Sequence, residues 1–436
     1  MMKYLSTNDP DLRDSLKSAV LKGMPADGGL YMPVELPSLA LEFTGELPEL
    51  SFQDVARHLA GAFMGDDIPS PELDEIIQTS MDLDVRLHRL TETLSVLETF
   101  HGPTMAFKDF GARFMARVMS YLIREEEDEL TILVATSGDT GSAVASGFLG
   151  VPGIKVVILY PSGKVSPSQE KQLTTQGQNI TALEVDGSFD DCQRMVKAAF
   201  ADLSLRDNML LSSANSINIA RLIPQSFYYT WAYGQVANSS DKVDVSVPCG
   251  NFGNITAALM AQKMGVPINH FVAATNANDV FPKYLTTGDF KSKASLHTMS
   301  NAMDVGNPSN LARINHMFDS GIDSIREVIS SWSFSDDQTT DMIRRTHEKF
   351  GYVIDPHTAV GLLGMETYRN AGAGDSHGIV VSTAHPAKFP EQVEPILGKK
   401  IDIPDQLAQY LDREKVAVPM STSFEEFKHY LIENLV

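Results

Sequence analysis

The stretch Val243-Asp244-Val245-Ser246-Val247-Pro248-Cys249-Gly250-Asn251-Phe252-Gly253-Asn254 leads into residues 255–264, where apolar side chains recur at helical spacing. Strand, loop and helix follow in that order, and a short β-branched strand of this kind reads as a buried strand of a parallel sheet. Five further runs have the same character, over residues 130–135, 154–160, 180–185, 271–275 and 378–382. Between them, residues 142–149 and 189–201 repeat apolar positions with helical period. The alternation predicts an α/β protein whose helices cover both faces of its sheets.

The two ends read differently. Residues 1–85 carry helical patterns at 11–22, 52–64 and 71–80, separated by the proline-rich stretch 25–48, and are expected to form an N-terminal, mainly helical domain. Within them Gly28-Gly29 precedes Leu30-Tyr31-Met32-Pro33, either a short strand or a loop that touches the main body. Residues 86–393 hold the alternating pattern. Residues 394–436 hold proline-rich turns and an amphipathic segment, 424–435, expected to dock on the body.

With 436 residues, 43% hydrophobic and 21% charged, the chain has an ordinary globular composition. Its formal charge of -21 argues against nucleic-acid or anionic-membrane partners, so any bound anion must be held by local donors. Only Cys192 and Cys249 are present, which excludes a disulfide framework and fits a reducing, cytoplasmic setting. Residues 1–7 lack an apolar signal-peptide core, and no stretch is apolar enough to span a bilayer. There is no G-x-x-x-x-G-K-[ST], H-E-x-x-H, C-x-x-C or G-x-S-x-G motif, and the eleven histidines lack metal-ligand spacing, so no metal is expected.

Several loops have the residue types that bind anions. After the strand at 243–247, backbone N–H groups of Gly250, Asn251, Phe252, Gly253 and Asn254 open a helix and suit a phosphate without net positive charge. The glycines allow close approach, and Asn251 and Asn254 offer side-chain donors; the alternative is a plain βα turn. In Thr136-Ser137-Gly138-Asp139-Thr140-Gly141, hydroxyls and amides at a helix start suit a small carboxylate, or form an ordinary cap. Asn215, Asn218 and Arg221 recur at intervals of three around Ser216, so one helix face would present two amides and a guanidinium to a phosphate, joined by Lys164 if the loops converge. A solvated polar face is the alternative. Thr383, in Ser382-Thr383-Ala384-His385-Pro386-Ala387-Lys388-Phe389, follows a strand end, where open α/β sheets place their ligands.

One lysine gives these loops a common purpose. In His101-Gly102-Pro103-Thr104-Met105-Ala106-Phe107-Lys108-Asp109-Phe110-Gly111, Lys108 stands among bulky apolar side chains just before an amphipathic segment. Desolvation there favours the neutral amine that attacks an aldehyde, unless Lys108 snorkels with its stem over Phe107 and Phe110. A lysine that makes a Schiff base points to pyridoxal 5'-phosphate. That cofactor requires a phosphate cradle, a ring-nitrogen partner and a grip on the substrate carboxylate, and each has a candidate here.

Taken in order and spacing, H-G-P-T-x-A-F-K-D, T-S-G-D-T-G, S-A-N-S-I-N-x-x-R, P-x-G-N-F-G, S-N-A-M-D-V and T-A-H-P-A-K-F resemble the threonine synthase family, in its longer bacterial and fungal branch. The resemblance covers nearly the whole chain. It implies a tryptophan synthase β-like, fold type II enzyme with two α/β subdomains over 86–393 and the cofactor between them. It also implies that Lys108 is the Schiff-base lysine, that Gly250 to Asn254 hold the cofactor phosphate, and that Thr383 meets the pyridine nitrogen. Ser137, Gly138, Asp139 and Thr140 would hold the substrate carboxylate and line the ring. Asn215, Ser216, Asn218 and Arg221, with Lys164, would hold the substrate phosphate. The loop Ser300-Asn301-Ala302-Met303-Asp304 is expected to border the cleft.

The implied reaction takes O-phospho-L-homoserine and water to L-threonine and phosphate. Rival readings are a phospho-lyase or dehydratase releasing 2-oxobutanoate, and a non-catalytic ligand-binding protein on the same fold. Monomer and homodimer both remain open. Cys249 stands where the family more often has serine, and Asn254 where aspartate is common; a thiol at that position would make the site sensitive to oxidants.

Overall fold

Four parallel strands, Ile268–Thr275, Val243–Pro248, His377–Ser382 and Leu94–Glu98, lie side by side at the centre of a six-stranded sheet. Ile329–Ser333 extends it in parallel at one edge, and Arg86–Thr91 closes the other edge antiparallel. A second sheet is parallel throughout, in the order Val418–Met420, Ile180–Val185, Ile154–Pro161, Leu130–Ala135 and Leu210–Ser213. The computed structural model describes the chain except Glu127, Ser137, residues 237–241, residues 373–374 and Val436.

All six expected strands are present and parallel. Leu130–Ala135, Val243–Pro248 and His377–Ser382 are buried at every residue, which is why they read as continuous apolar runs rather than alternations. Apart from Leu94–Glu98, which is internal, the strands of these two sheets without such a run are edges. Arg86–Thr91 is half-exposed and polar, and Val418–Met420 spans three residues. Helices Phe52–Met64, Phe189–Ala201 and Phe424–Leu435 match the periodic segments.

The N-terminal region differs from its expectation in one place. The pattern at 11–22 is not one helix: Asp14–Ser15 pairs with Lys3–Ser6, and the helix Leu16–Lys22 begins only after Ser15, whose hydroxyl accepts the N–H of Ser18. Leu30 to Pro33 resolves to the strand Tyr31–Pro33, completing a three-stranded antiparallel sheet with Lys3–Ser6 at its centre.

The helix Lys108–Ile123 leaves the larger sheet and enters the smaller one. It buries Phe110, Phe114, Met115, Val118 and Met119, each worth about 1.5–3 kcal/mol. It packs closely on Asp139–Phe148, where a side-chain carbon on Gly147 would come within 2.9 Å of the Ala112 backbone. Six candidate loops follow the carboxyl end of a parallel strand: residues 99–107, 136–138, 162–166, 214–218, 249–252 and 383–385. Ligands bind at that end of open α/β sheets. No helix among the described residues is long and apolar enough to cross a membrane.

Candidate functional site

Lys108 is held from two directions. Ala106 and Ala384 form an isolated antiparallel bridge, the N–H of Phe107 donates to the carbonyl of Thr383 at 2.9 Å, and the N–H of His385 donates to that of Met105 at 3.1 Å. The lysine turn and the Thr383 turn are therefore one unit. Met105 stands at φ 56°, a left-handed conformation that costs a non-glycine residue about 1 kcal/mol and is sustained by these bonds. Lys108 opens its helix half-buried, and its Nζ has no hydrogen-bond partner among the described residues. Burial pulls the ammonium pKa down to about 8, with Arg221 and Lys388 adding to the shift and Asp139 opposing it. At pH 7 that leaves roughly a tenth of the side chain as free amine, far more than an ordinary lysine offers.

Beside it runs a buried polar network that the sequence did not announce. Lys388, fully buried, places Nζ 2.6 Å from Oδ1 of Asp139 and donates to the carbonyl of Thr104 at 2.7 Å. Gln169 donates to the same Asp139 oxygen at 2.9 Å. Burial opposes the charge on Asp139, but Lys388 and Lys108 outweigh it and hold the carboxyl well below the usual range. Asp109 accepts the N–H and hydroxyl of Thr104 at 2.9 and 2.7 Å, and its burial raises its pKa to about 6. Lys388 was visible as part of a motif, yet its partner lies about 250 residues away, and no local spacing encodes that pair.

In the loop before Asp139–Phe148, the hydroxyl of Thr136 accepts the N–H groups of Gly138 and Gly141 at 3.0 and 2.9 Å. Gly138 has φ 144°, and a side-chain carbon there would lie 2.5 Å from Gln169, so glycine is required. The N–H groups of Asp139 and Thr140 meet no acceptor among the described residues. Ser137 lies outside the described residues.

The loop after Val243–Pro248 turns through Phe252 at φ 61° into the helix Gly253–Lys263, which has no side-chain cap. No acceptor among the described residues meets the N–H of Asn251, Phe252, Gly253, Asn254 or Ile255. Asn254 accepts both Tyr228 and Tyr229 hydroxyls on Oδ1, leaving its buried Nδ2 without a partner. Asn251 is committed instead. Its Nδ2 donates to the hydroxyl of Ser216 and its Oδ1 accepts the N–H of Ser309, both at 2.6 Å, so it ties loops together rather than offering a free donor. Gly250 is glycine for packing, since a side-chain carbon there would lie 2.8 Å from the Ala302 carbonyl and from Cα of Met303. The turn Asn301–Met303 thus buttresses the loop, and the N–H of Ala302 donates to Nε2 of His357 at 3.3 Å. Cys249 is buried with its thiol pushed well up by burial, which counters the expected oxidant sensitivity.

Residues 214–221 depart from the expected helix face. The helix is only Ile219–Leu222; Asn218 caps it, accepting the N–H of Ala220, while its Nδ2 donates to the carbonyls of Val20 and Ser213. Asn218 is fully buried and spent on backbone. Arg221 is 2% exposed, donates from Nη1 to the Ala214 carbonyl at 2.7 Å and leaves Nε without a partner. No carboxylate among the described residues pairs with it. Burial lowers its pKa to about 10, with the charge of Asp109 opposing from beyond ion-pair range. It lies one turn from Lys108, because a side-chain carbon on Gly111 would be 2.8 Å from the Arg221 carbonyl. The side chain of Asn215 and the N–H groups of Ser216 and Ile217 meet no acceptor or donor among the described residues. Lys164 is exposed and has no hydrogen bond or ion pair to the other candidates among the described residues.

These residues fit pyridoxal phosphate. Lys108 Nζ lies 5.8 Å from the centre of the Phe107 ring with no hydrogen-bond partner, the helix Gly253–Lys263 starts uncapped with one orphan amide donor, and the Thr383 hydroxyl has no partner, all among the described residues. The fit agrees with known proteins. A family model described as pyridoxal-phosphate dependent enzyme matches residues 74–384, and those described as threonine synthase N terminus and threonine synthase, C-terminal, match residues 3–81 and 358–431. Threonine synthase of Escherichia coli strain K12 is 40% identical over 434 residues, covering 99% of this chain and 100% of its own. The crystal structure of threonine synthase from Escherichia coli superposes with a TM-score of 0.91 over 99% of this chain and 100% of that one, at 40% identity. A structure of PLP bound threonine synthase from Brucella melitensis superposes with a TM-score of 0.94 over the whole of both chains, at 33% identity. With similarity of this extent running through both ends and the middle, the chain belongs to the threonine synthase family, pyridoxal-phosphate dependent lyases of fold type II.

Proposed function

We propose that the protein converts O-phospho-L-homoserine and water to L-threonine and phosphate, in the cytoplasm, where its two free cysteines fit a reducing setting. When bound, pyridoxal phosphate supplies an electron sink for charge developed on the substrate carbons. Lys108 would hold the cofactor's aldehyde carbon and, once displaced by the substrate amine, take and return protons at Cα and its neighbours. The free N–H groups of residues 251–255 and Nδ2 of Asn254 would hold the cofactor phosphate, and the Thr383 hydroxyl the ring nitrogen. A hydroxyl does not enforce a charged ring, so the sink is mild. Asp139 and Thr140 would receive the α-carboxylate through their free helix-start amides, with Gly138, its own N–H held by Thr136, shaping the turn and Ser137 adding its hydroxyl. Asn215, Ser216 and Arg221 would grip the substrate phosphate; Asn218 would shape that turn, and Lys164 would contribute only at long range.

The observation that carries this reading is Arg221, a buried guanidinium with no carboxylate in ion-pair range among the described residues, packed on the Lys108 helix one turn beyond Lys108. Such a charge is costly to bury alone and suits a dianion that occupies the cleft only with substrate. One assay tests the reading: purified holoenzyme given O-phospho-L-homoserine is analysed for threonine and 2-oxobutanoate together. Threonine as main product is expected; 2-oxobutanoate as main product would replace the synthase reading with the phospho-lyase.

A further inference from the structure

A second buried guanidinium stands behind the same turn. Arg313, fully buried and with no carboxylate in ion-pair range among the described residues, has four carbonyl-type acceptors. Nη1 donates to the Ser216 carbonyl at 3.3 Å and to Oδ1 of Asn310 at 2.7 Å, Nη2 to the Ile217 carbonyl at 2.6 Å, and Nε to the Tyr31 carbonyl at 3.1 Å. Burial draws its pKa down to about 9, so the site works against its charge rather than for it.

The carbonyls of the turn are all occupied. Ser213 is taken by Asn218 Nδ2, Ala214 by Arg221, Asn215 by the Asn218 N–H, Ser216 and Ile217 by Arg313, and Asn218 by the Arg221 N–H. Six consecutive carbonyls are tied back, while the N–H groups of Ser216 and Ile217 and the Ser216 hydroxyl hydrogen are left to donate. Successive free amides with their carbonyls turned away make an anion-binding concavity. Asn310 continues the tie: its Nδ2 donates to the Asn251 carbonyl at 3.0 Å, and Asn251 reaches back to the Ser216 hydroxyl.

We propose that Arg313 is a positioning residue for the substrate phosphate: it holds the 216–217 carbonyls away from the anion and fastens that turn to the 250–254 loop through Asn310 and to the N-terminal sheet through Tyr31. The inference rests on the reading that residues 215–221 hold the substrate phosphate. Lysine cannot replace it, because an ammonium cannot span four acceptors in a fixed fork.

The test uses cofactor-loaded, full-length protein and inorganic phosphate as probe, read by calorimetric titration. Arg313→Lys is expected to weaken phosphate binding about tenfold and to raise KM more than it lowers kcat, with the absorbance of bound cofactor retained. Asn310→Ala keeps the charge but removes one tie, and should weaken phosphate binding about threefold; it carries the test if Arg313→Lys does not fold. Phosphate affinity within about twofold of wild type in the folded variants, with only a lowered melting temperature, would show a structural arginine and overturn the proposal. Arg221→Ala separates the layers. Loss of phosphate binding there with none in the other variants leaves the phosphate site standing and Arg313's role refuted, whereas no loss in Arg221→Ala removes the site and the proposal together.

Discussion

Residues 251–255 offer an anion five backbone N–H groups and an orphan amide with no formal charge, whereas residues 214–221 are backed by two guanidiniums with no carboxylate in ion-pair range among the described residues. An uncapped helix start costs little when empty. Two buried unpaired cations cost much more, and a dianion relieves that cost. The contrast suits the two proposed tasks. A cofactor phosphate keeps its charge through a reaction, so dipoles suffice; a departing phosphate gains charge as its C–O bond breaks, and fixed positive charge is most effective where charge develops.

Four experiments break or sharpen that contrast. Lys108→Ala is the largest: turnover should fall by about 10^3 or more, and cofactor then retained is held by the amide loop and Thr383, so its dissociation constant by absorbance titration reads the uncharged grip without the covalent one. Arg221→Ala should lower kcat/KM by about 10^2 to 10^3 without loss of bound cofactor; equal loss of cofactor would merge the two sites into one. Gly250→Ala should do the reverse, forcing Ala302 and Met303 back at about 1–3 kcal/mol of stability, seen as a lower melting temperature and weaker cofactor binding with phosphate affinity nearly unchanged.

The smallest effect is a pH shift. In protein freed of cofactor, labelling of Lys108 by an amine reagent should rise with a midpoint near pH 8, because burial lowers its pKa from the ordinary 10.5. Asp139 stabilises the ammonium, so Asp139→Asn should move the midpoint to lower pH and raise labelling at pH 7. A shift to higher pH would mean that Asp139 does not act on Lys108.

Sequence reading was strongest where a feature is local. Lys108 among aromatics and the strand-loop-helix at 243–264 are local, and both stand where expected. It was weakest where function depends on partners far along the chain. The interval of three from Asn215 to Arg221 suggested a shared helix face, but Asn218 prefers to cap, as short amides do at a helix start. Arg313 sits in an unremarkable Leu-Ala-Arg-Ile run, and only its four distant acceptors distinguish it. The edge strand Arg86–Thr91 escaped notice because its exposed face is polar and gives no apolar run.

The pairing of Val418–Met420 with Leu183 to Val185 has a consequence for synthesis. The smaller sheet gains its outermost strand from a segment more than two hundred residues downstream, and the larger sheet waits for His377–Ser382 to fill the place between Leu94–Glu98 and Val243–Pro248. Until the ribosome has released those segments, both sheets carry open hydrogen-bonding edges that another nascent chain can occupy. Long-range parallel pairing of this kind is slow, so the half-made chain is the form most exposed to aggregation, and chaperone dependence should peak before residue 380 emerges.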